Sequence, residues 1–566
     1  MKGIRWAFQI TVISPTILLL ALLTASAETQ VHPERIHLDK SNLEEIEDLS
    51  ESMANSLLDF STAVRRMDLS EVSHHFAETV HSTSFAGQAP ALDRQVKWIS
   101  FGSAKLSHEE TRAWDKAEYV DLWAQFLGRY RSLEDARFKV KDAEFSREDG
   151  IVRGSGGIKF FLVGDSTDGR PLWVKGTGKI HAMQKNDSET WKIEKLLFDE
   201  IAIQKSERRL FSEVSEPAGV SVSLPPYGSP GNDDFIYRGA AVGDLNGNGF
   251  VDLVVTGIKQ TYVYLNQGDG TFLERAWDLG IPPNSRATAP LLLDFDNDCD
   301  LDIFISGVGT QMLFENRLVP DGELVFRDIS AESGVSLPAY GFSAVAGDVT
   351  GNGFPDIYVT SYNAYGTIMP NSWHRATNGT PNLLFINQGD GTFKESARAW
   401  GVQDARWSYA AQILDIDGDG KMDIYVANDF GENALFMNRG DHFVDEAEAR
   451  GVLDPGNGMG VAFGDYDNDG IIDLYVTNMS STAGNRILER LMPDTEADDH
   501  VLRKLAAGNS LFKGNPDGTF SDVTGTAGPF VAGWAWGGVF YDFDNDGWDD
   551  LYSTNGFVTG QTMKDT

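Results

Sequence analysis

The spacing of apolar side chains divides this chain into two parts. In residues 42–66, 69–79 and 111–131, Leu, Met, Trp and Phe recur at helical spacing. After residue 135 the pattern changes to strand-like runs such as PLWVKGTGKIHAM and ETWKIEKLLFDEI. Helices followed by consecutive strands predict an α+β domain over residues 34–205, after which the chain becomes rich in Pro, Gly and Ser.

The remainder, residues 207–566, repeats one pattern of short strands and turns. A β-branched or aromatic run such as IYVAN follows each Asp-rich turn, the next apolar strand ends in Asn, and a strand bearing Phe and then a Gly close the unit. Each unit supplies four short strands, which is one propeller blade. The predicted fold class is therefore mainly β, with a six- or seven-bladed β-propeller after the α+β domain. Residues 211–220 are placed to add an end strand to the ring.

Six Asp-rich turns of nine residues carry the candidate chemistry. Each has oxygen-bearing side chains at positions 1, 3, 5 and 9, usually with Gly at position 6. Such alternate oxygens on a tight turn suit Ca²⁺, which takes six to eight oxygen ligands in flexible geometry. An EF-hand would place Glu at position 12, where these turns have Val, Ile or Ser in a strand. The predicted metal ligands are Asp244, Asn246, Asn248 and Asp252; Asp294, Asp296, Asp298 and Asp302; Asp348, Thr350, Asn352 and Asp356; Asp415, Asp417, Asp419 and Asp423; Asp465, Asp467, Asp469 and Asp473; and Asp542, Asp544, Asp546 and Asp550.

The six turns differ in ligand charge. Four of them offer four carboxylates each, whereas turns 244–252 and 348–356 offer two. Because affinity for Ca²⁺ follows ligand charge, we expect about four strong sites and two weaker ones. The alternative is a set of hairpin turns without metal, which the mutual repulsion of four carboxylates disfavours in the more acidic turns.

A second set of residues lies before each first aspartate, at the start of the strand predicted nearest the propeller axis. Equivalent positions of a repeat superimpose, so these side chains are expected to ring an axial channel. Aromatic rings interleaved with Arg suit a sugar or a peptide, and the alternative is that they only fill the channel. With two residues of the insertion at 361–381, the candidate ligand-binding residues are Arg238, Arg286, Tyr340, Trp407, Tyr409, Trp534, Trp536, Trp373 and His374.

Charge and the N-terminal segment bear on partners and location. The chain has 47 Lys and Arg against 84 Asp and Glu, a formal net charge of −37, which argues against nucleic acid or an anionic membrane as partner. Residues 1–27 combine Lys2 and Arg5 with an apolar run and an Ala-Ser-Ala step, which predicts a cleaved signal peptide; an uncleaved anchor is the alternative. We expect a secreted, periplasmic or cell-surface protein with no stable membrane insertion after cleavage. Cys299 is the single cysteine, so bound Ca²⁺ would take the stabilising role of disulfides.

The Asp-rich turns and the Asn-turn-Phe signature together resemble the FG-GAP, or VCBS, repeat family, whose blades also build integrin α-chain propellers. Residues 478–486, 508–512, 533–537 and 555–557 are similar to the branch that contains cartilage acidic protein 1. The resemblance implies a Ca²⁺-binding propeller used outside the cell, with no established catalytic residues to carry over.

The order of elements in the first domain resembles the cone-like folds of the nuclear transport factor 2 and SnoaL-like group. Members of that group often hold a ligand in the cone and some are enzymes, which makes His74, His75, His81 and Asp121 candidates by residue type alone. A structural or oligomerising domain is the alternative.

These features predict an exported, calcium-stabilised propeller that binds an extracellular protein or glycan without altering it. One alternative is an enzyme that degrades polysaccharide on the propeller face or converts a small molecule in the N-terminal cone. The sequence has no nucleophile elbow and no HExxH motif to support it. The other alternative is a structural surface or matrix protein.

Overall fold

A computed structural model describes residues 40–556, apart from 84, 86–89, 142, 149–150, 186–189, 210, 223–237, 258–259, 285, 365–366, 481–496 and 528–532. The predicted signal peptide, residues 1–27, lies outside the described residues. The chain divides into two compact units, and the division falls between Ser212 and Glu213. In the described part of the chain, no helix combines the length and apolar character that a bilayer crossing requires.

The first unit consists of helices that pack on one large sheet. Its helices are α1 (Lys40–Arg65), α2 (Leu69–His74) and α3 (Lys116–Leu127), with a 3-10 helix at His108–Glu110. Its strands are β1 (Phe76–Ser82), β2 (Arg94–Val96), β3 (Ile99–Lys105), β4 (Arg112–Asp115), β5 (Tyr130–Val140), β6 (Glu144–Glu148), β7 (Ile151–Ser166), β8 (Pro171–Lys185) and β9 (Lys192–Ser206). The strand order is β2-β3-β9-β8-β7-β5, with β1 beside β9 and β4, and β6 beside β7.

Local sequence explains how these helices begin and why they pack. The Asp115 carboxylate accepts a hydrogen bond from the Glu118 amide at 2.8 Å and caps the first turn of α3. The apolar face of α3 carries Trp123, whose ring meets Phe60 of α1 at 5.4 Å and Phe138 of β5 at 5.8 Å between centroids. These edge-to-face contacts form the centre of a core that joins helices to sheet.

The second unit is a series of antiparallel sheets. In order, they are β10 (Ala240–Gly243), β11 (Asp252–Thr256), β12 (Thr261–Asn266) and β13 (Phe272–Glu274); β14 (Ala287–Leu293), β15 (Asp302–Thr310), β16 (Met312–Asn316) and β17 (Phe326–Asp328); β18 (Pro338–Gly347), β19 (Asp356–Ser361), β20 (Leu383–Asn387) and β21 (Phe393–Glu395); β22 (Ser408–Leu414), β23 (Asp423–Asn428), β24 (Ala434–Asn438) and β25 (Phe443–Asp445); β26 (Gly458–Gly464), β27 (Asp473–Asn478), β28 (Ser510–Gly514) and β29 (Phe520–Asp522); and β30 (Ala535–Tyr541) with β31 (Asp550–Asn555). Helix α4 (Leu318–Asp321) lies between β16 and β17, α5 (Ala397–Trp400) between β21 and β22, α6 (Ala497–Ala507) between β27 and β28, and α7 (Thr524–Ala527) between β29 and β30.

The sheets follow one another as propeller blades do. The first strand of each sheet lies against the first strand of the next, from β10 through β14, β18, β22 and β26 to β30. The second strands β19, β23 and β27 are buried along their whole length, because neighbouring sheets cover both faces. The prediction of a mainly β fold with a β-propeller is confirmed. The described residues of the second unit form five groups of four strands and one pair of strands, and the second and third groups join into one eight-stranded sheet where β15 pairs with β18.

The prediction of an end strand over residues 211–220 is wrong. Residues 215–219 form a turn, and the carbonyl of Ala218 accepts a hydrogen bond from the amide of Phe272 at 2.9 Å. At the equivalent place in the next blade, the carbonyl of Leu279 accepts a hydrogen bond from the amide of Phe326 at 2.8 Å. The segment therefore corresponds to the turn that ends a blade, and its Ala-Gly step resembles a strand end only in sequence.

Candidate metal centres

Each Asp-rich turn is folded by its own first carboxylate. In turn 415–423, the two oxygens of Asp415 accept hydrogen bonds from the amides of Asp419 at 3.0 Å and Gly420 at 2.9 Å. Gly420 has φ of +84°, a conformation that favours glycine. The carboxylate at position 5, Asp419, in turn accepts the amide of Lys421 at 2.9 Å. These local bonds make the backbone curl around the acidic side chains.

Cys299 stands at position 6, where the other five turns have Gly. Its φ is +76°, and a side chain in this left-handed region costs on the order of 1–2 kcal/mol. We expect Cys299→Gly to raise the free energy of unfolding by about 1 kcal/mol, since the added freedom of glycine in the unfolded chain offsets part of the gain. Urea unfolding measures this change. Cys299→Ser keeps the strain, so an equal gain in both variants would contradict the explanation.

The aspartate at position 9 is the buried end of five of the six turns, whereas Asp550 of turn 542–550 is exposed. One oxygen of Asp423 accepts the amide of Ile416 at 3.1 Å, and the other accepts the amide of Asn438 at 2.8 Å, at the end of the third strand. Burial raises the pKa of Asp423 to about 6 and that of Asp302 to about 8. These carboxylates therefore link the turn to two strands, and a bound cation would offset the cost of their buried charge.

Four of the six turns bring carboxylates together. Oxygen atoms of three aspartates lie within 4.8 Å of one another in the groups Asp294, Asp296 and Asp302; Asp415, Asp417 and Asp423; Asp465, Asp467 and Asp469; and Asp542, Asp544 and Asp550. In two of these groups a position-3 oxygen, Oδ1 of Asp296 or Asp467, is buried with no hydrogen-bond partner among the described residues. Hard oxygen ligands with an unsatisfied buried atom fit a divalent cation such as Ca²⁺.

Hydrogen bonds hold the two less acidic turns. In turn 244–252, Asp244 and Asn246 both accept the amide of Asn248 at 3.1 Å. In turn 348–356, the Asn352 side chain donates to the carbonyl of Asn387 at 2.9 Å. These neutral side chains have partners within the fold, so the two turns need a cation less than the four acidic turns do.

The Asn at the end of the third strand has a role that sequence reasoning missed. Its side-chain amide donates to the backbone carbonyl at position 2 of the preceding sheet's turn. The pairs are Asn316 with Leu245 at 3.0 Å, Asn387 with Phe295 at 2.8 Å and Asn438 with Val349 at 2.8 Å. The recurrence of Asn at strand ends was the available signal, but the partner lies in another repeat, which spacing within one repeat cannot identify.

The candidate ligand-binding residues occupy different environments. Trp407 has an exposed fraction of 0% and packs with Phe342, Tyr362 and Phe430 in one cluster, against which Trp373 and Tyr409 also lie. The Trp407 indole donates to Asn378 Oδ1 at 2.9 Å. Trp407 therefore fills the interior of this region, which is the alternative considered for the channel residues.

A smaller group of rings lies beside that cluster. The ring of Trp536 is 5.9 Å from that of Tyr409 and 6.4 Å from that of Trp534, and all three are partly exposed. Tyr340 and His374 are partly buried, and Arg238 and Arg286 are exposed. The structure therefore brings together the aromatic candidates Trp373, Trp407, Tyr409, Trp534 and Trp536.

A buried carboxylate also lies in this region. Tyr362 donates its hydroxyl to Asp429, and burial raises the pKa of Asp429 to about 6. An Asp whose folded pKa is raised stabilises the fold fully below its unfolded pKa of about 4, and this contribution is lost as pH rises through 6.

We therefore expect Asp429→Asn, whose amide oxygen still accepts from Tyr362, to be more stable than the wild type at pH 7.5. The expected gain is about 2–3 kcal/mol at pH 7.5, with no gain near pH 4. Urea unfolding across this pH range measures the difference. The exposed Asp441→Asn is the control, and a gain independent of pH would contradict the assignment.

The histidine candidates of the first unit are dispersed. His75 borders a cavity of about 10 Å³ between α1 and the sheet, with Met53, Phe60 and Trp191, and burial lowers its pKa to about 4. His81 and Asp121 are exposed. Such a cavity holds about one water molecule, whereas small-molecule sites occupy roughly 300–1,000 Å³.

Comparisons with known proteins agree with the repeat. A model of the FG-GAP-like repeat matches residues 244–305, 294–359, 373–426, 415–476 and 498–553. Cartilage acidic protein 1 of Homo sapiens is 29% identical over 249 residues, which is 43% of this chain. The chain spans about a third of that relative, 32% of its length.

Two solved structures are similar over parts of the chain. One is of an Agrocybe aegerita lectin, described as specifically recognising non-reducing terminal N-acetylglucosamine, with a TM-score of 0.31 and 19% identity over 56% of this chain and 75% of that chain. The other is a nuclear transport factor 2-like protein of Salmonella enterica, with a TM-score of 0.18 and 8% identity over 27% of this chain and 92% of that chain.

Proposed function

Because this chain belongs to the FG-GAP-like repeat family, we propose that it is a non-catalytic β-propeller protein that acts outside the cytoplasm. Its acidic turns bind Ca²⁺, which stabilises the blades. Its partner is an extracellular protein or glycan, held without chemical change, and the net charge of −37 disfavours nucleic acid. The predicted leader, residues 1–27, supports a secreted, periplasmic or cell-surface location.

The observation that carries the calcium proposal is the recurrence of three carboxylates within 4.8 Å in four separate turns. Ionised carboxylates at this distance repel one another, and a cation that lies among them offsets this repulsion. In each of these turns the side chains at positions 1, 3, 5 and 9 would hold the ion. Bound Ca²⁺ would join the turn to the second and third strands through the position-9 carboxylate, and thereby stiffen the blade.

The partner site that we propose is the ring group of Tyr409, Trp534 and Trp536. Aromatic faces suit sugar rings and apolar peptide side chains, and rings in mutual contact lose little conformational freedom on binding. The buried cluster that contains Trp407 and Phe342 packs against this group, since the ring of Phe342 lies 5.0 Å from that of Tyr409 between centroids. Trp373 packs on Phe430 at 5.4 Å in the same cluster.

Binding arrays test the two parts of the proposal separately. The full chain is applied to glycan and peptide arrays in Ca²⁺ and in EDTA, with Trp536→Ala as the variant. We expect Trp536→Ala to lose binding while its Ca²⁺ titration by calorimetry stays unchanged. Trp277→Ala is the matched control, because Trp277 is 73% exposed in the turn after β13 and does not belong to the ring group. Equal binding by wild type and Trp536→Ala would exclude this ring group as the partner site.

A further inference from the structure

One strand position in each sheet differs in charge between the blades. The last residue of the third strand donates its backbone amide to the position-9 aspartate of the same sheet's turn, as Asn438 does to Asp423. The position in question is the residue immediately before it. The residues at this position are Leu265, Glu315, Ile386, Met437 and Lys513. Three of the five are apolar, one is acidic and one is basic.

Lys513 extends into the acidic group of turn 465–473. Its ammonium donates to Asp469 Oδ2 at 2.7 Å and also to Asp467 Oδ2. The carboxylates grouped here are those at positions 1, 3 and 5, whereas the other three acidic turns group positions 1, 3 and 9. The ammonium therefore contacts two of the oxygens that a divalent cation would use.

We propose that Lys513 is a resident counter-cation of turn 465–473, which holds the turn together without metal and competes with Ca²⁺ for its carboxylates. This inference rests on the proposed binding of Ca²⁺ by the acidic turns. The turn consequently binds Ca²⁺ more weakly than turn 294–302, although both have aspartate at positions 1, 3, 5 and 9. Turn 415–423 has cationic side chains of its own, Lys421 at 2.6 Å from Asp419 and Arg450 at 2.9 Å from Asp417.

Charge and geometry both support this competition. Affinity for Ca²⁺ follows the net charge of the ligand set, and one ammonium removes a unit of negative charge from it. The position-3 atom Oδ1 of Asp467 stays buried without a hydrogen-bond partner in the described structure, so the lysine satisfies this group only in part. The side chain of Lys513 is 30% exposed, which leaves the ammonium a route to solvent when a cation enters.

The second sheet shows the opposite charge at the same position. Glu315 contacts Arg317 at 2.6 Å and Arg327 at 2.8 Å, and still acts on turn 294–302. Burial and the neighbouring carboxylates, Glu315 among them, raise the pKa of Asp296. This position therefore adds negative charge beside one turn and positive charge beside another.

Calorimetric titration of the full chain with calcium chloride tests the role of Lys513. We expect Lys513→Met to raise the affinity of one site roughly tenfold, and to lower the thermal midpoint in EDTA because the carboxylates lose their counter-charge. The added variant Asp467→Asn should remove that site in both backgrounds. Lys504→Met is the matched control, since Lys504 of α6 pairs at 2.7 Å with Asp522, which belongs to the same sheet but lies outside the turn. Lys513→Gln replaces the Met variant if the latter does not fold.

The outcomes separate the two proposals. If Asp467→Asn removes one Ca²⁺ site but Lys513→Met titrates as the wild type does, the competition by Lys513 is refuted and calcium binding stands. If neither protein binds Ca²⁺ at any turn, the proposed function fails, and the inference fails with it.

Discussion

Chelation of divalent cations is expected to lower the thermal-unfolding midpoint of this protein more than any single substitution discussed above. When the concentration of free Ca²⁺ is about 100 times the dissociation constant of a site, binding at that site contributes about 2.7 kcal/mol to stability. Four such sites would therefore contribute on the order of 10 kcal/mol. The physical reason is that the carboxylates of each of the four groups lie close together in the folded chain and are dispersed in the unfolded one, so Ca²⁺ binds the folded chain preferentially. Calorimetric scans in Ca²⁺ and in EDTA measure the shift.

Two controls make this expectation specific. Asp415→Asn removes a carboxylate from an acidic group, and Asp244→Asn makes the same change in a turn that hydrogen bonds hold. The calcium-dependent shift should therefore decrease more in Asp415→Asn than in Asp244→Asn. Identical midpoints in Ca²⁺ and EDTA for the wild type would refute calcium stabilisation.

Substitution of Asp423 by Ala is expected to destabilise the fold by about 2–6 kcal/mol even in EDTA. The change removes the acceptor for two backbone amides, those of Ile416 and Asn438, and each unsatisfied buried donor costs roughly 1–3 kcal/mol. Urea unfolding in EDTA measures this cost without any contribution from metal. In Ca²⁺ the loss should be larger, because a metal ligand is removed as well.

Asp423→Asn provides the matched comparison, since the amide keeps one oxygen acceptor and nearly the same shape. We expect it to be more stable than Asp423→Ala in EDTA, because one backbone amide keeps its acceptor. The exposed Asp441→Ala should have little effect on stability. If Asp423→Ala were as stable as Asp441→Ala in EDTA, the hydrogen bonds at position 9 would not hold the turn to its strands.

The Asp-rich turns and the blades could be predicted from the sequence because their geometry depends on residues that are close in the chain. In turn 415–423, the bonds from Asp415 span four and five residues, so the order of residue types largely specifies the curl of the backbone. Strands such as β23 were predicted from their runs of β-branched and aromatic residues. The same argument located helices α1 and α3 of the first unit, whereas the predicted helical segment 69–79 ends at His74 and continues as strand β1 from Phe76.

Features that depend on contacts between repeats were not readable in this way. Nothing near Trp407 in the sequence indicates that Phe342 and Tyr362 enclose its ring, so the sequence left open whether Trp407 binds a ligand or fills the interior. The segment at 211–220 was misassigned because the sequence of a blade-ending turn resembles that of a strand end. The contact of Lys513 with Asp467 joins residues 46 positions apart, outside the span of any local motif.

The Asn side chains that donate to the preceding sheet's turn also bear on which sheets of the propeller unfold together. Their series stops at the fifth sheet, where Gly514 occupies the position of Asn438 and has no side-chain amide to donate. There Arg450 spans the junction instead, from Asp417 at 2.9 Å to the carbonyl of Gly518 at 2.8 Å. In a chain of units coupled to their neighbours, a change of coupling marks a boundary of cooperativity. Amide hydrogens of β26 to β31 should therefore exchange with solvent as a separate group, ahead of those in the sheets before them.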